Sequence, residues 1–183
     1  GIVRGLAAAY PENDEWLRRV GQTLSAIGDL KRRAGDEAGT MAAYEESLAL
    51  VRQLVARDPT NAPYKRDLVI ALQRIADQKL LAGDEDGALA LFQEAEAVVR
   101  GLAASDPGNQ GYQSDLAIAI EKAGDAMLAK GDVAGAIRLY DEQLVIARKL
   151  AASDPDNANW QRGLSVALER MGDAKVKAGD NAA

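Results

Sequence analysis

The chain has 183 residues, of which 48% are hydrophobic and 27% are charged, a composition typical of a globular protein that can bury a core. Its formal net charge of -6 argues against nucleic acid as the main partner, because phosphate backbones bind basic surfaces. The chain contains no cysteine and no histidine, which excludes disulfides, thiolate chemistry and the usual zinc ligands.

The predicted elements are helices separated by short turns. In chain order they are a partial helix B at about 1–9, helix A1 at 13–34, B1 at 37–57, A2 at 61–82, B2 at 85–105, A3 at 109–130, B3 at 133–153 and A4 at 157–178. A Gly-Asp pair ends each helix A and caps the helix B that follows, because glycine suits the left-handed position and aspartate accepts a backbone N–H. Helices B1 to B3 end at an aspartate before a proline, since proline disfavours the α conformation of the residue before it.

Related residues return at intervals of 48 positions along the whole chain. The columns in register include Pro11, Pro59, Pro107 and Pro155; Trp16, Tyr64, Tyr112 and Trp160; and Asp29, Asp77, Asp125 and Asp173. A fixed period of this kind indicates a repeat protein, in which neither amphipathic helix of a repeat can bury its apolar face alone. The sequence therefore predicts an all-α solenoid of antiparallel helix pairs. Its single domain covers 1–183, with repeats at about 13–57, 61–105 and 109–153 and a terminal helix A at 157–178.

Within each repeat, a spaced set of apolar and small residues joins the two helices. Repeat one carries Leu24-x-x-Ile27-Gly28 on helix A, followed by Thr40 and Tyr44 on helix B. The corresponding sets are Leu72, Ile75, Ala76, Ala88 and Phe92; Ile120, Ala123, Gly124, Ala136 and Tyr140; and, without a helix B, Leu168, Met171 and Gly172. This pattern resembles the tetratricopeptide repeat family, in an extended variant. The resemblance implies a right-handed α-solenoid that binds proteins.

Two features depart from the tetratricopeptide pattern. The family's helix A aromatic is missing, and the residues at its position are Lys31, Lys79, Met127 and Lys175. The period is 48 residues instead of the family's 34. The extra residues divide evenly between the two helices, so each helix is expected to be about two turns longer than in the family.

A stripe along each helix A is the candidate binding surface, because the resemblance implies that helix A lines the concave face. In repeat two, Arg66, Ile70, Gln73 and Asp77 follow one another at steps of four, three and four, which puts them on one face. The equivalent stripes are Arg18, Gln22, Ser25 and Asp29; Ser114, Ile118, Glu121 and Asp125; and Arg162, Val166, Glu169 and Asp173.

From these stripes we take a set of candidate peptide-binding residues. They are Asp29, Asp77, Asp125, Asp173, Gln73, Glu121, Glu169, Ile70, Ile118, Val166, Arg66 and Arg162. Charge complementarity with this surface predicts a basic or mixed peptide, with an apolar side chain over the isoleucines or the valine.

Structural roles for the same residues stay open at this point. The aspartates of the stripes either bind a ligand, face solvent, or pair with Arg74, Lys122 or Arg170. The apolar residues of the stripes, which are Ile70, Ile118 and Val166, either contact a ligand or contact the adjacent repeat. The aromatic residues near the start of each helix A are interpreted as wedges between repeats. Glycines near the start of each helix B are interpreted as places of close approach to helix A, and they are Gly39, Gly87 and Gly135.

The sequence therefore predicts a non-catalytic protein-interaction module that binds a peptide or a partner domain on the concave helix A face. The alternative is a self-associating scaffold that stacks end to end through its terminal helices. The apolar residues available for that contact are Ile2, Val3 and Leu6 at one end and Leu164, Leu168 and Met171 at the other. An enzyme is disfavoured, because carboxylates such as Glu121 and Asp125 recur as a ladder instead of converging in one cavity.

The remaining expectations concern cofactors and location. We expect no cofactor, no metal, no nucleic acid and no membrane partner, since no apolar run approaches the length that spans a bilayer. The chain starts with glycine instead of methionine, so we expect an excised fragment of a bacterial, cytoplasmic protein.

Overall fold

Helices account for nearly all of the chain that the structure describes. The computed structural model describes Gly5, Ala9, Tyr10 and residues 12–179. The helices within 12–179 are α1 (Asp14–Arg33), α2 (Glu37–Arg57), α3 (Ala62–Leu81), α4 (Glu85–Ser105), α5 (Gln110–Ala129), α6 (Val133–Ser153) and α7 (Ala158–Lys177). Their ends differ from the predicted ends by one residue at most, and the all-α class is confirmed. The partial helix predicted at 1–9 lies largely outside the described residues, together with Ile2, Val3 and Leu6.

The turn inside each repeat is set by its Gly-Asp pair. The glycine adopts a positive φ, 75° at Gly35 and 84° at Gly131, a conformation that a side chain disfavours. The aspartate that follows then accepts a hydrogen bond from a backbone N–H of the next helix, at 2.8 Å between Asp132 Oδ1 and the nitrogen of Gly135. The residue whose N–H donates this hydrogen bond is itself a glycine. The cap explains this choice, because a Cβ at Gly87 or Gly135 would run into the carboxylate of the capping aspartate. The close approach to helix A that the sequence predicts for these glycines stays a prediction.

The loop between repeats ends at an asparagine that caps the next helix. The asparagine Oδ1 accepts a hydrogen bond from the backbone N–H three residues later, in every repeat that the structure describes. The pairs are Asn13 with Trp16, Asn61 with Tyr64, Asn109 with Tyr112 and Asn157 with Trp160. Because each cap lies at the same position of its repeat, the A helices begin at equivalent residues. Their stripes therefore lie at equivalent positions along each helix.

The chain divides into two compact units, which we call unit 1 (Gly1–Leu81) and unit 2 (Ala82–Ala183). Unit 1 contains α1 to α3 and unit 2 contains α4 to α7, and within each unit consecutive helices pack as antiparallel neighbours. The core of unit 1 includes Tyr44, Leu54 and Leu72. The largest fully buried side chains in the core of unit 2 are Phe92, Val99, Ile120 and Tyr140.

The boundary between the two units falls between α3 and α4, the two helices that the sequence assigns to repeat two. The single domain that the sequence predicts therefore stays a prediction.

Candidate functional site

The tyrosine of helix B lies against a glycine of helix A and reaches an aspartate of the repeated column that we call the aspartate ladder, which is Asp29, Asp77, Asp125 and Asp173. Tyr140 is fully buried, and a Cβ on Gly124 would lie 2.6 Å from the Cε1 atom of its ring. Its hydroxyl donates a hydrogen bond to Asp125 Oδ1 at 2.7 Å. In unit 1, the Tyr44 hydroxyl donates to Asp29 Oδ1 at 2.6 Å in the same way. Burial, followed by the hydrogen bond to the carboxylate, raises the pKa of the Tyr140 hydroxyl above its ordinary value.

The same aspartates also hold an arginine from the next helix A. Arg74 of α3 donates from Nη2 to Asp29 Oδ2 at 2.8 Å, and its guanidinium lies 5.7 Å from the centre of the Tyr44 ring. In unit 2, Arg170 Nε of α7 lies 3.2 Å from Asp125 Oδ1. Two members of the aspartate ladder therefore join a tyrosine of their own repeat to an arginine of the next repeat. These arginines are two of the pairing partners that the sequence left open.

The structure distributes the candidate residues between the two units. Unit 1 holds the binding candidates from the first two stripes, which are Asp29, Arg66, Ile70, Gln73 and Asp77. Unit 2 holds Ile118, Glu121, Asp125, Arg162, Val166, Glu169 and Asp173. Ile70 and Ile118 are about half exposed, and Asp173 and Glu169 are exposed. The second and third repeats therefore present an apolar side chain at the surface of helix A.

Four of the candidates in unit 2 surround a cavity between α5, α6 and α7. The cavity has a volume of about 500 Å³, and Ile118, Glu121, Arg162 and Val166 line it. We call it the α5–α7 cavity. Trp160, which the sequence assigned to a wedge between repeats, also lines this cavity. The apolar walls and the few polar groups are typical of sites that bind ligands.

Sequence reasoning missed Gln143, which lines the cavity from α6. Only 2% of this residue is exposed, and its Nε2 donates to Glu121 Oε2 at 3.0 Å. Among the described residues, no N–H or O–H donates to Gln143 Oε1. The sequence does contain a signal for this residue. The positions 48 and 96 residues earlier hold the small residues Ala95 and Ser47, so a glutamine at this position departs from the repeat.

Glu121 is the carboxylate of the cavity. Burial raises its pKa above the ordinary value, and the negative charge of Asp125 raises it further. Arg170, Lys122 and the hydrogen bond from Gln143 act in the opposite direction. Arg170 Nε lies 4.0 Å from Glu121 Oε1, a longer distance than to Asp125, so this guanidinium is shared between two carboxylates.

Other kinds of site find little support in the part of the chain that the structure describes. Within 12–179, no group of three or more acidic, histidine or cysteine side chains is arranged to hold a metal ion. None of the described helices combines the length and the apolarity needed to cross a membrane.

Comparison with known proteins gives a structural likeness alone. No protein-family model matches the chain, and no curated protein matches it. The fold is similar to the crystal structure of BtubC (BKLC) from P. vanneervenii, with a TM-score of 0.49 and 15% sequence identity, over 97% of this chain and 80% of that chain. At this level of similarity the comparison supports no statement about function.

Proposed function

We propose that the chain is a protein-interaction module that binds a peptide or a partner domain on the face formed by its A helices. One observation carries the proposal: the α5–α7 cavity is lined by Ile118, Glu121, Arg162 and Val166, all of which belong to the helix A stripes. The tetratricopeptide-like pattern of the repeats supports the same function, because the family uses this face for its ligands.

The chemistry of the face favours a basic or mixed peptide that carries apolar side chains. Ile118 is 48% exposed at the cavity, so an apolar side chain docked there would remove further apolar surface from water. Glu121 offers a carboxylate and Arg162 a guanidinium, so the ligand needs groups of both signs. Asp29 and Asp125 each accept a hydrogen bond from a tyrosine hydroxyl and form an ion pair with an arginine, and a ligand that reaches them must share or displace those groups. We therefore assign them the smaller part of the binding.

Selection of peptides from a display library on the full chain tests the proposal. Peptides selected on the wild type are expected to bind the Ile118→Asp variant at least about tenfold more weakly, because burial of such a side chain is worth about 1.5–3 kcal/mol. Val145→Asp is the matched control, since Val145 is 51% exposed on α6 and does not line the cavity. Equal affinities for all three proteins, or an equal loss in both variants, would contradict the proposal.

A second candidate function is self-association through α7. Leu168 and Val176 of this helix are 48% and 65% exposed, which favours an apolar contact. Met171, which the sequence counted in the same contact, is instead buried in a cluster with Ala136 and Tyr140, so that part of the expectation is wrong. Light scattering on the full chain decides between the functions, because a molecular mass that stays monomeric as concentration rises eliminates self-association.

A further inference from the structure

One side of α7 is exposed where the A helices α1 and α5 are buried. Leu168 is 48% exposed, whereas the residues at the same position of α5 and α1, Ile120 and Leu24, are 0% and 4% exposed. Gly172 and Val176 follow Leu168 at steps of four, so they share its side of the helix, and both are exposed. We call these three residues of α7 the open face. In unit 2, α5 packs between two B helices, α4 and α6, whereas α7 packs chiefly against α6.

In α1 and α5, the position of Gly172 receives the tyrosine ring of a B helix. Gly28 and Gly124 stand at this position, and a Cβ built on either glycine would collide with the ring of Tyr44 or Tyr140. A Cβ at Gly172 would meet no atom of the described residues within 4 Å. The open face therefore contains a gap at the place that a tyrosine ring fills in the first and third repeats.

The carboxylate beside this gap belongs to the column that accepts tyrosine hydroxyls in those repeats. Asp125 accepts a hydrogen bond from the Tyr140 hydroxyl at 2.7 Å, and Asp29 accepts one from Tyr44 at 2.6 Å. Asp173 is the residue of the same column in α7, and it is exposed to solvent. The gap and the carboxylate together match the two parts of a tyrosine side chain, its apolar ring and its hydroxyl donor.

The helices of this chain that carry such a tyrosine are already in use. Their shared sequence, which we call the helix B pattern, is a small residue, three others and a tyrosine, as in Ala136 with Tyr140 and Thr40 with Tyr44. Both tyrosines are buried, and their hydroxyls donate to aspartates of their own repeats. A second copy of the chain would have to open one of its own repeats to offer either helix. A helix from a different protein is therefore the favoured occupant.

We propose that the open face of α7 binds a partner helix with the helix B pattern, its tyrosine ring on Gly172 and its hydroxyl donating to Asp173. Apolar residues of the same helix cover Leu168 and Val176, as an amphipathic helix does in an apolar groove. Gly163 of the α5–α7 cavity precedes Gly172 by nine residues, which is about two and a half helical turns. The open face therefore lies on the opposite side of α7 from the cavity, and the proposal goes beyond the peptide site without depending on it.

A synthetic peptide with the sequence of α6, residues 133–153, is the probe, because it contains Ala136 and Tyr140 in the required spacing. In a nuclear magnetic resonance titration of the full chain, this α6 peptide is expected to shift the backbone amide signals of Gly172 and Val176 until they saturate. A Tyr140→Ala peptide lacks the ring and is expected to bind at least about tenfold more weakly. Unchanged signals with the α6 peptide, or equal affinities for the two peptides, would overturn the proposal.

Variants of the chain place the peptide on one side of α7. Gly172→Leu fills the gap and is expected to weaken binding of the α6 peptide at least about tenfold, while helical circular dichroism is retained because the new side chain has open space. Gly163→Leu is the matched control, since Gly163 is also an exposed glycine of α7 with open space around it. It lies on the opposite side and is expected to leave the affinity unchanged. An equal loss in both variants would overturn the open face as the site.

A double-mutant cycle tests the hydrogen bond from the tyrosine. Asp173→Asn in the chain and Tyr140→Phe in the peptide each remove one partner of the bond, and each is expected to weaken binding about fivefold. The two changes together are expected to cost no more than either one alone, because both remove the same interaction. Losses that multiply would overturn the assigned contact with Asp173.

Two further outcomes separate the open face from the functions proposed above. If light scattering shows a dimer of the full chain that Gly172→Leu abolishes, a second copy covers the open face and the partner helix is overturned. Display peptides that depend on Ile118 are expected to bind the Gly172→Leu variant as strongly as the wild type, because the cavity lies on the other side of α7. Loss of those peptides in this variant would overturn the open face as a separate surface.

Discussion

The aromatic residue of helix B does more than fill space between the two helices. Tyr44 and Tyr140 bury their rings and still satisfy their hydroxyls, because an aspartate of helix A lies within hydrogen-bonding distance of each. The helix A residue opposite each tyrosine is a glycine, and an alanine Cβ there would collide with the ring. Repeat two carries Ala76 and Phe92 at the corresponding positions of its sequence.

The Tyr140 hydroxyl is expected to contribute measurably to stability. Tyr140→Phe removes a buried donor to the Asp125 carboxylate, so the free energy of unfolding should fall by about 1–2 kcal/mol. Urea unfolding followed by circular dichroism gives the value. Tyr112→Phe is the control, because Tyr112 is partly exposed and its substitution should change the stability by less than about 0.5 kcal/mol. A loss of the same size in both variants would show that the hydrogen bond contributes nothing specific.

At the scale of the helices, the sequence predicted most of what the structure contains. Helix ends depend on local chemistry, and the Gly-Asp, Asp-Pro and asparagine signals act within a few residues of the turn that they set. The sequence analysis did not connect Gly135 with its cap. The backbone N–H of Gly135 donates to the aspartate three residues before it, and a Cβ at Gly135 would run into that carboxylate.

The Gly-Asp turn yields a prediction that isolates backbone conformation from packing. A Cβ on Gly131 would meet nothing within 4 Å, and its φ is 84°, so Gly131→Ala should destabilise the chain by about 1–2 kcal/mol through strain alone. Gly101 also has open space but lies inside α4, so Gly101→Ala should stabilise the chain by about 0.5–1 kcal/mol. Thermal and urea unfolding of the two variants measure both values. Changes of the same sign would refute the backbone explanation.

At the scale of the whole molecule, the candidate site could be predicted only in part. The helix A stripes identified Ile118, Glu121, Arg162 and Val166, because a repeat fixes which face of a helix its residues share. They could not locate the cavity, which depends on short residues from two different repeats and on an amide from a B helix. Such a cavity arises where residues depart from the repeat pattern, and the residues that line it come from distant parts of the sequence.

The division into two units predicts that damage to one unit remains local. Leu48 and Leu144 are buried at the same position of the repeat, in α2 and α6, and leucine-to-alanine changes at buried sites cost about 2–5 kcal/mol. Trp16 reports on unit 1 and Trp160 on unit 2, so variants that retain one tryptophan, with phenylalanine at the other position, follow each unit by fluorescence.

Local damage gives a reciprocal result in urea unfolding. Leu144→Ala should lower the midpoint reported by Trp160 and leave the midpoint reported by Trp16 nearly unchanged, whereas Leu48→Ala should do the reverse. The reason is that helices of a repeat protein are stabilised chiefly by their neighbours in sequence, as the packing within each unit shows here. Each variant serves as the control of the other, because both remove the same atoms. Equal shifts at both tryptophans would mean that the chain unfolds as one cooperative block and that the two units are not independent in stability.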